Sequence, residues 1–317
     1  MPSLTVVVPA YNEAAVLETF HDRLGRVLDE LPLDCNVLYV DDGSSDATWQ
    51  TIEGLMARDA RTGAIRLSRN FGKEAALTAG LDHVNADAAV VIDADLQDPP
   101  ELIPALVEQW RAGFDVVYAT RTARVGESGL KRLTAALFYR SMERLSDTRL
   151  PRDTGDFRLL SRRALDALRQ LRERQRFMKG LFTWIGYRQT AVYYLREPRQ
   201  AGNTKWNYWR LLHLAIEGVT SFSTVPLRLA TWVGVLSSLL AFLYGLWVFG
   251  KALILGDPVH GYPSLMVVIL FLGGVQLLAL GVIGEYLGRN YAESKQRPLY
   301  FIDQERPPRE RPERSRR

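Results

Sequence analysis

Three carboxylates and an amide stand in the run Asp93-Ala94-Asp95-Leu96-Gln97-Asp98, directly after the apolar stretch Ala88–Ile92. Carboxylates gathered where a strand ends repel one another in a partly dry cleft, and a hard divalent cation is the common remedy. Mg2+ or Mn2+ is the expected ion, held by one or two carboxylates and leaving positions for water and phosphate oxygens. The same residues also suit a plain turn and helix cap. A second acidic loop, Val40-Asp41-Asp42-Gly43-Ser44-Ser45-Asp46, follows another apolar run. Its carboxylates can accept hydrogen bonds from a nucleobase N–H or a ribose hydroxyl, Gly43 permits an unusual backbone angle, and Asp46 can cap the next helix.

The elements that must carry these loops alternate. Strand-like Leu4–Val8, Asn36–Val40, Ile65–Leu67, Ala88–Ile92 and Asp115–Ala119 interleave with helix-like Ala14–Leu31, Asp46–Arg58, Lys73–Val84 and Pro100–Ala112. That rhythm predicts an α/β fold with a mostly parallel sheet covered by helices on both faces, and ligands gathered where strands end. No solenoid repeat is visible.

Composition narrows the chemistry. The 317 residues are 47% hydrophobic and 24% charged, which excludes a short peptide module or a disordered regulator. A single cysteine, Cys35, rules out an intrachain disulfide, and with four scattered histidines it cannot build a Cys/His zinc site. Any metal must therefore sit among oxygen ligands. The net charge of +4 resides in the tail from Arg289, which holds nine Lys/Arg and five Asp/Glu, so no nucleic-acid-binding stripe is implied. The opening MPSLTVVVPAYNE lacks a signal-peptide pattern, and the N-terminal part is expected to stay in the cytosol.

Beyond Arg228 the composition changes. Leu229–Gly250 and Ser264–Gly284 carry no charge, and each is long enough to cross a hydrocarbon core of about 30 Å at about 1.5 Å per residue. The Gly- and Pro-containing segment Lys251–Pro263 reads as the turn between two membrane helices, about 229–253 and 264–288. Arg228, Arg289, Lys295 and Arg297 flank the outer ends against one Lys in the turn, which puts both termini in the cytosol. A buried hairpin in a soluble protein is the alternative. Leu130–Leu145 reads either as an interfacial helix or as an ordinary amphipathic one, and the aromatic-rich 206–228 as interfacial. The tail 289–317 is expected to be a basic, cytosolic, partly disordered end. Gly273, Gly274, Gly281 and Gly284 suit either packing within the hairpin or self-association into a homo-oligomer.

VVVPAYNE (6–13), VDDGSSDAT (40–48), SRNFGKEAA (68–76), DADLQDPPE (93–101), DTGDFRLLSR (153–162) and RQAGNTKW (199–206) occur in this order. The chain thereby resembles family-two inverting glycosyltransferases, and within them the polyprenyl-phosphate glycosyltransferases with two C-terminal membrane helices. The resemblance implies a GT-A catalytic domain over 1–205, interfacial helices over 206–228 and a transmembrane hairpin over 229–288. It implies transfer of a hexose, glucose first and mannose second, from a UDP- or GDP-linked donor to polyprenyl phosphate, at the cytosolic face of the plasma membrane. Pro9, Tyr11, Glu13 and Asp42 would line the nucleotide pocket, with Asp93 near the ribose and Lys73 assisting. Asp95 and Gln97 would hold the metal. Asp156 would stand at the reaction centre, as base or as orienter, and Arg199 with Lys205 would close over the diphosphate as a mobile lid; by composition alone the first also suits a salt-bridged or capping aspartate, and the second a solvated basic loop. Arg121 and Arg132 are the candidates for the acceptor phosphate. The lid departs from the family pattern at Asn203-Thr204, where Glu-Ser is expected, so its donor contacts should differ in detail. A processive polysaccharide synthase would need a Q-x-x-R-W segment and more spans, which the chain lacks. A non-catalytic nucleotide-sugar sensor is the rival of another class.

Overall fold

The computed structural model describes residues 1–121, 154–174, 176–194, 225–255 and 261–308. They fall into two units, one from the N-terminal region together with the chain from Arg297, the other from the two long C-terminal helices.

The first unit is an eight-stranded sheet in the order β7-β5-β6-β4-β1-β2-β3-β8. Its strands are β1 (Ser3–Ala10), β2 (Asp34–Asp41), β3 (Thr62–Leu67), β4 (Ala88–Val91), β5 (Val116–Arg121), β6 (Thr154–Ser161), β7 (Gln189–Tyr194) and β8 (Ile302–Arg306). β1 is buried from Leu4 onward, as suits a β-branched run in the middle of a sheet covered on both faces. β1, β2, β3 and β4 pair in parallel, and β5 pairs in parallel with β7. β6 is antiparallel to both β4 and β5, and β8 is antiparallel to β3.

Among the described residues, helices α1 (Ala14–Glu30), α2 (Thr48–Arg58), α3 (Lys73–His83), α4 (Ile103–Arg111), α5 (Arg162–Leu168) and α6 (Met178–Trp184) belong to this unit. α1 buries Leu17, Phe20, Leu24, Val27 and Leu28, the three- and four-residue spacing of a single helical face. On α3 a Cβ at Gly80 would lie 2.3 Å from Cγ1 of Val7. Glycine there lets α3 lie directly on β1, which fixes where its first residue, Lys73, begins.

The alternation expected over the first 119 residues is present. Two features were not anticipated. β6 runs against its neighbours between β4 and β5, and the tail, expected as a solvated end, instead contributes β8 along the edge of β3. That pairing covers backbone groups that an open edge would leave exposed.

The second unit holds α7 (Val225–Leu255, 31 residues) and α8 (Tyr262–Ser294, 33 residues), which pack against each other. Each overruns the expected span by a few residues at both ends. Both are long and apolar enough to cross a membrane, and side chains such as Leu229, Trp232, Phe242, Trp247, Leu277 and Leu280 are exposed. Such faces associate with a membrane, because in water they would form a large apolar patch. The expected helix Leu130–Leu145, residues 206–224 and turn residues 256–260 lie outside the described residues.

Candidate active site

Parallel strands β1, β2 and β4 end on one edge of the sheet, and the antiparallel β6 begins there. Asp93, just past β4, and Asp156, early in β6, fall opposite each other when the register Val90–Leu159, Val91–Arg158 is continued by two residues. Lys73 opens α3 at the same edge. Its Nζ donates to Oδ2 of Asp93 at 2.7 Å and to Oδ2 of Asp156 at 2.5 Å.

This bridge sets the electrostatics. Burial works to raise the pKa of Asp156, but Lys73, Lys179 and Arg158 outweigh it and hold the carboxyl at about 2. Burial likewise pushes Asp93 up, with Lys73 opposing and Asp156 and Asp95 adding to the rise. Lys73 itself is lowered by burial and raised further by its two carboxylates, and it ends above the ordinary lysine value. The second oxygen of Asp156, Oδ1, is buried and without a hydrogen-bond partner among the described residues. An acceptor so placed is suited to a donor group brought in by a ligand.

Glu74 lies behind the bridge. Its Oε2 accepts from the backbone N–H of Met178 at 3.3 Å, and burial, aided by the negative charge of Asp156, pushes its pKa up to about 7. The unfolded chain loses this proton in the ordinary glutamate range and the folded protein only near pH 7, so stability falls as pH rises between the two. Glu74→Gln should therefore raise the thermal midpoint clearly at pH 8 and much less at pH 5. An equal shift at both values would contradict this assignment.

The other loops are tied to one another. Asn12, at φ 56°, donates its backbone N–H to Oγ of Ser44 at 3.0 Å, and its Oδ1 accepts from the N–H of Ser45 at 2.9 Å. The N–H of Glu13 donates to Oγ1 of Thr48 at 2.9 Å. Pro9 is buried at the end of β1, whereas Tyr11 is exposed. Asp42 is buried, which raises its pKa, and both its oxygens are engaged: Oδ1 by the N–H of Phe71 at 2.7 Å, Oδ2 by that of Gly72 at 2.9 Å. It thus holds the loop that leads into Lys73. Gly43, at φ 66°, passes so close to that loop that a Cβ would lie 2.4 Å from the carbonyl carbon of Arg69.

The acidic loop after β4 is self-braced. Asp95 accepts from the Gln97 backbone N–H at 3.1 Å through Oδ1 and from its Nε2 at 2.8 Å through Oδ2. Leu96 between them is left-handed at φ 60°, and the hydroxyl of Tyr194 donates to Oδ1 of Asp98. Among the described residues no three His, Cys, Asp or Glu side chains form a group that could hold a metal ion.

The structure thus brings Lys73, Asp93 and Asp156 into contact, sets Asp95 and Gln97 beside each other, and gives Asp42 a supporting task. Arg199, Lys205 and Arg132 lie outside the described residues, as does the side chain of Arg121 at the end of β5. Glu74, Asn12, Lys179 and Tyr194 escaped the sequence reading. Glu74 was within reach, being next to Lys73 in one of the motifs. Lys179 and Tyr194 gave no signal, since their nearness depends on how α6 and β7 return to the sheet.

Residues 5–169, over half of the chain, match the family model described as glycosyl transferase family 2. The chain belongs to glycosyl transferase family 2. A second model, the GtrB C-terminal hairpin, matches residues 225–289 of this family 2 glycosyltransferase and so covers α7 and most of α8. An uncharacterized glycosyltransferase of Synechocystis sp. is 51% identical, with 94% of each chain covered. A bactoprenol glucosyl transferase of Shigella phage SfV is 46% identical over 96% of this transferase and 99% of its own length. A prophage bactoprenol glucosyl transferase homolog of Escherichia coli K12 is 44% identical over 94% and 98%. A solved structure of Mycobacterium tuberculosis glucosyl-3-phosphoglycerate synthase is 20% identical, with a TM-score of 0.48 over 69% of this chain and 76% of that one. The mostly parallel sheet with its flanking helices is the α/β arrangement expected from the sequence.

Proposed function

We propose that this transferase moves glucose from a nucleotide donor, UDP-glucose in the first instance, to the phosphate of polyprenyl phosphate, with inversion at the anomeric carbon. The observation that carries the reading is the match over nearly the whole of both chains, hairpin included, to the phage SfV bactoprenol glucosyl transferase. An oxygen of the lipid phosphate attacks the anomeric carbon while the bond from that carbon to the donor diphosphate breaks, and the electron pair leaves on the nucleoside diphosphate.

The acceptor is already an anion at neutral pH. It needs no strong base, and a carboxylate with a pKa of about 2 is a weak one. Asp156 is therefore assigned to orienting, with Oδ1 accepting from a donor-sugar hydroxyl and Oδ2 kept on Lys73. Pro9, Tyr11, Glu13 and Asp42 border the nucleotide pocket, with Asp93 near the ribose and Lys73 assisting. Asp95 and Gln97, with Asp93 nearby, offer oxygen ligands only, which fits Mg2+ or Mn2+ that completes its shell from waters and the diphosphate. Such an ion supplies positive charge where the leaving group becomes more negative. Arg199 and Lys205 add cations there, and Arg121 and Arg132 take the acceptor phosphate.

β8 supports two crossings with both termini cytosolic. The chain leaving α8 rejoins the sheet of the N-terminal unit, and only an even number of crossings returns it to the same side. The flanking Arg and Lys residues set which side that is. Among the described residues a Cβ at Gly273, Gly274, Gly281 or Gly284 would meet nothing within 4 Å, which leaves these glycines open to a second copy and supports the homo-oligomer.

The test is purified protein in lipid vesicles with undecaprenyl phosphate, Mg2+ and a panel of labelled donors including UDP-glucose and GDP-mannose. Labelled glucosyl lipid from UDP-glucose is expected. No lipid-linked sugar from any donor would overturn the reading.

A further inference from the structure

The chain that follows the second long helix touches α3 and the loop before it. Beyond the β8 pairing, the carbonyl of Phe301 accepts from the N–H of Ser68 at 2.9 Å, and the Phe301 ring meets that of Phe71 at 6.3 Å between centroids, tilted by 51°. At the other end of α3, the hydroxyl of Tyr300 donates to Asp82 at 2.9 Å and its ring faces His83 at 6.4 Å. The segment thus grips both ends of the helix whose first residue is Lys73.

Between Phe301 and Lys73 the chain has little freedom. The N–H groups of Phe71 and Gly72 are both spent on Asp42, and Gly43 lets the Asp42 loop pass against Arg69 without clearance for a side chain. The loop is held from inside by a buried carboxylate and from outside by a ring of the tail. A shift of Phe71 would be passed to Lys73 two residues on, and so to the contact of its Nζ with Asp93 and Asp156.

We infer that Tyr300 and Phe301 are positioning residues for Lys73, so that the catalytic site of this transferase is completed by chain lying beyond its membrane hairpin. The inference rests on the proposed glucosyl transfer for its kinetic readout and on the fold alone for its structural one. Phe301 is 56% exposed, so trimming its ring removes a loop contact with little loss from the core. An aromatic pair of this kind shifts a local equilibrium by about twofold to tenfold.

The test uses the full chain in vesicles and compares Phe301→Ala with Phe301→Leu. Phe301→Ala should speed amide hydrogen exchange at Phe71 and Gly72 several-fold in the ligand-free protein, while exchange in β1 and β4 stays unchanged. It should lower kcat/KM for UDP-glucose to a similar extent, with KM for undecaprenyl phosphate and the thermal midpoint unaltered, and Phe301→Leu should recover most of the loss. Unchanged exchange at Phe71 and Gly72 would overturn the inference, as would a loss of midpoint that accounts for the whole kinetic change. If the unaltered protein transfers no glucose, the functional reading fails by itself, and the exchange measurement still decides the role of Phe301.

Discussion

Replacing Lys73 with methionine should lower glucosyl transfer by about a hundredfold to a thousandfold, a loss of the size seen when one preorganised charge-stabilising group is removed from an active site. The reason lies in the pair it bridges. Asp93 and Asp156 stand across two antiparallel strands, and the Lys73 ammonium is bonded to both. Without it one carboxyl takes up a proton more readily, because two neighbouring carboxylates cannot both ionise cheaply. Asp93, already pushed up by burial, is the carboxyl that takes it, since Lys179 and Arg158 still hold Asp156 low, and the residual activity of the variant should depend on pH more steeply than that of the unaltered enzyme. Lys73→Arg keeps the charge but not the compact two-way donor, so it should restore only part of the rate. Because both residues act through one contact, the losses from Lys73→Met and Asp156→Asn should fall short of adding in the double variant, by about 1–3 kcal/mol. Full activity in Lys73→Met would remove the bridge from the mechanism.

How much of this was legible depends on which contacts are local. The βα alternation through residue 119 was readable because each apolar run is short, β-branched and bounded by turn residues. Asp93, Asp95 and Gln97 were readable because they share one loop. The nearness of Asp93 to Asp156 was not, since it follows from β6 entering antiparallel between β4 and β5, and no local periodicity encodes strand order or direction. Asp42 shows another limit. Its residue type fits a ligand contact, and it also accepts two backbone N–H groups, a supporting task that no local pattern announced and that leaves lone pairs on both oxygens. The tail misled through composition: RPPRERPERSRR is polar and charged, and that colour hid the preceding FIDQER, which pairs with β3.

Removing divalent metal with a chelator should abolish transfer, by about a hundredfold or more, and Mg2+ or Mn2+ should restore it. The loop after β4 fits the proposed ion. Leu96 sits in a left-handed conformation at φ 60°, which costs about 1–2 kcal/mol for a residue with a side chain and persists only where the surroundings hold it. Holding it here are the burial of Leu96, the two bonds from Gln97 to Asp95, and the clasp of Tyr194 on Asp98. With one carboxylate and one amide and, among the described residues, no group of three acids to close a cage, affinity for the free ion should be weak and should rise when the nucleoside diphosphate is present. Asp95→Ala should then lose nearly all transfer, and Gln97→Ala should shift the half-maximal metal concentration upward. Tyr194→Phe, which removes the hydroxyl that clasps Asp98, should shift it by about tenfold by loosening the loop. The check is Mn2+ binding with and without UDP, followed by its paramagnetic signal, alongside initial rates across a metal titration. Transfer that continues unchanged in chelator would refute the metal assignment, while leaving the Lys73 bridge to be judged by its own variants.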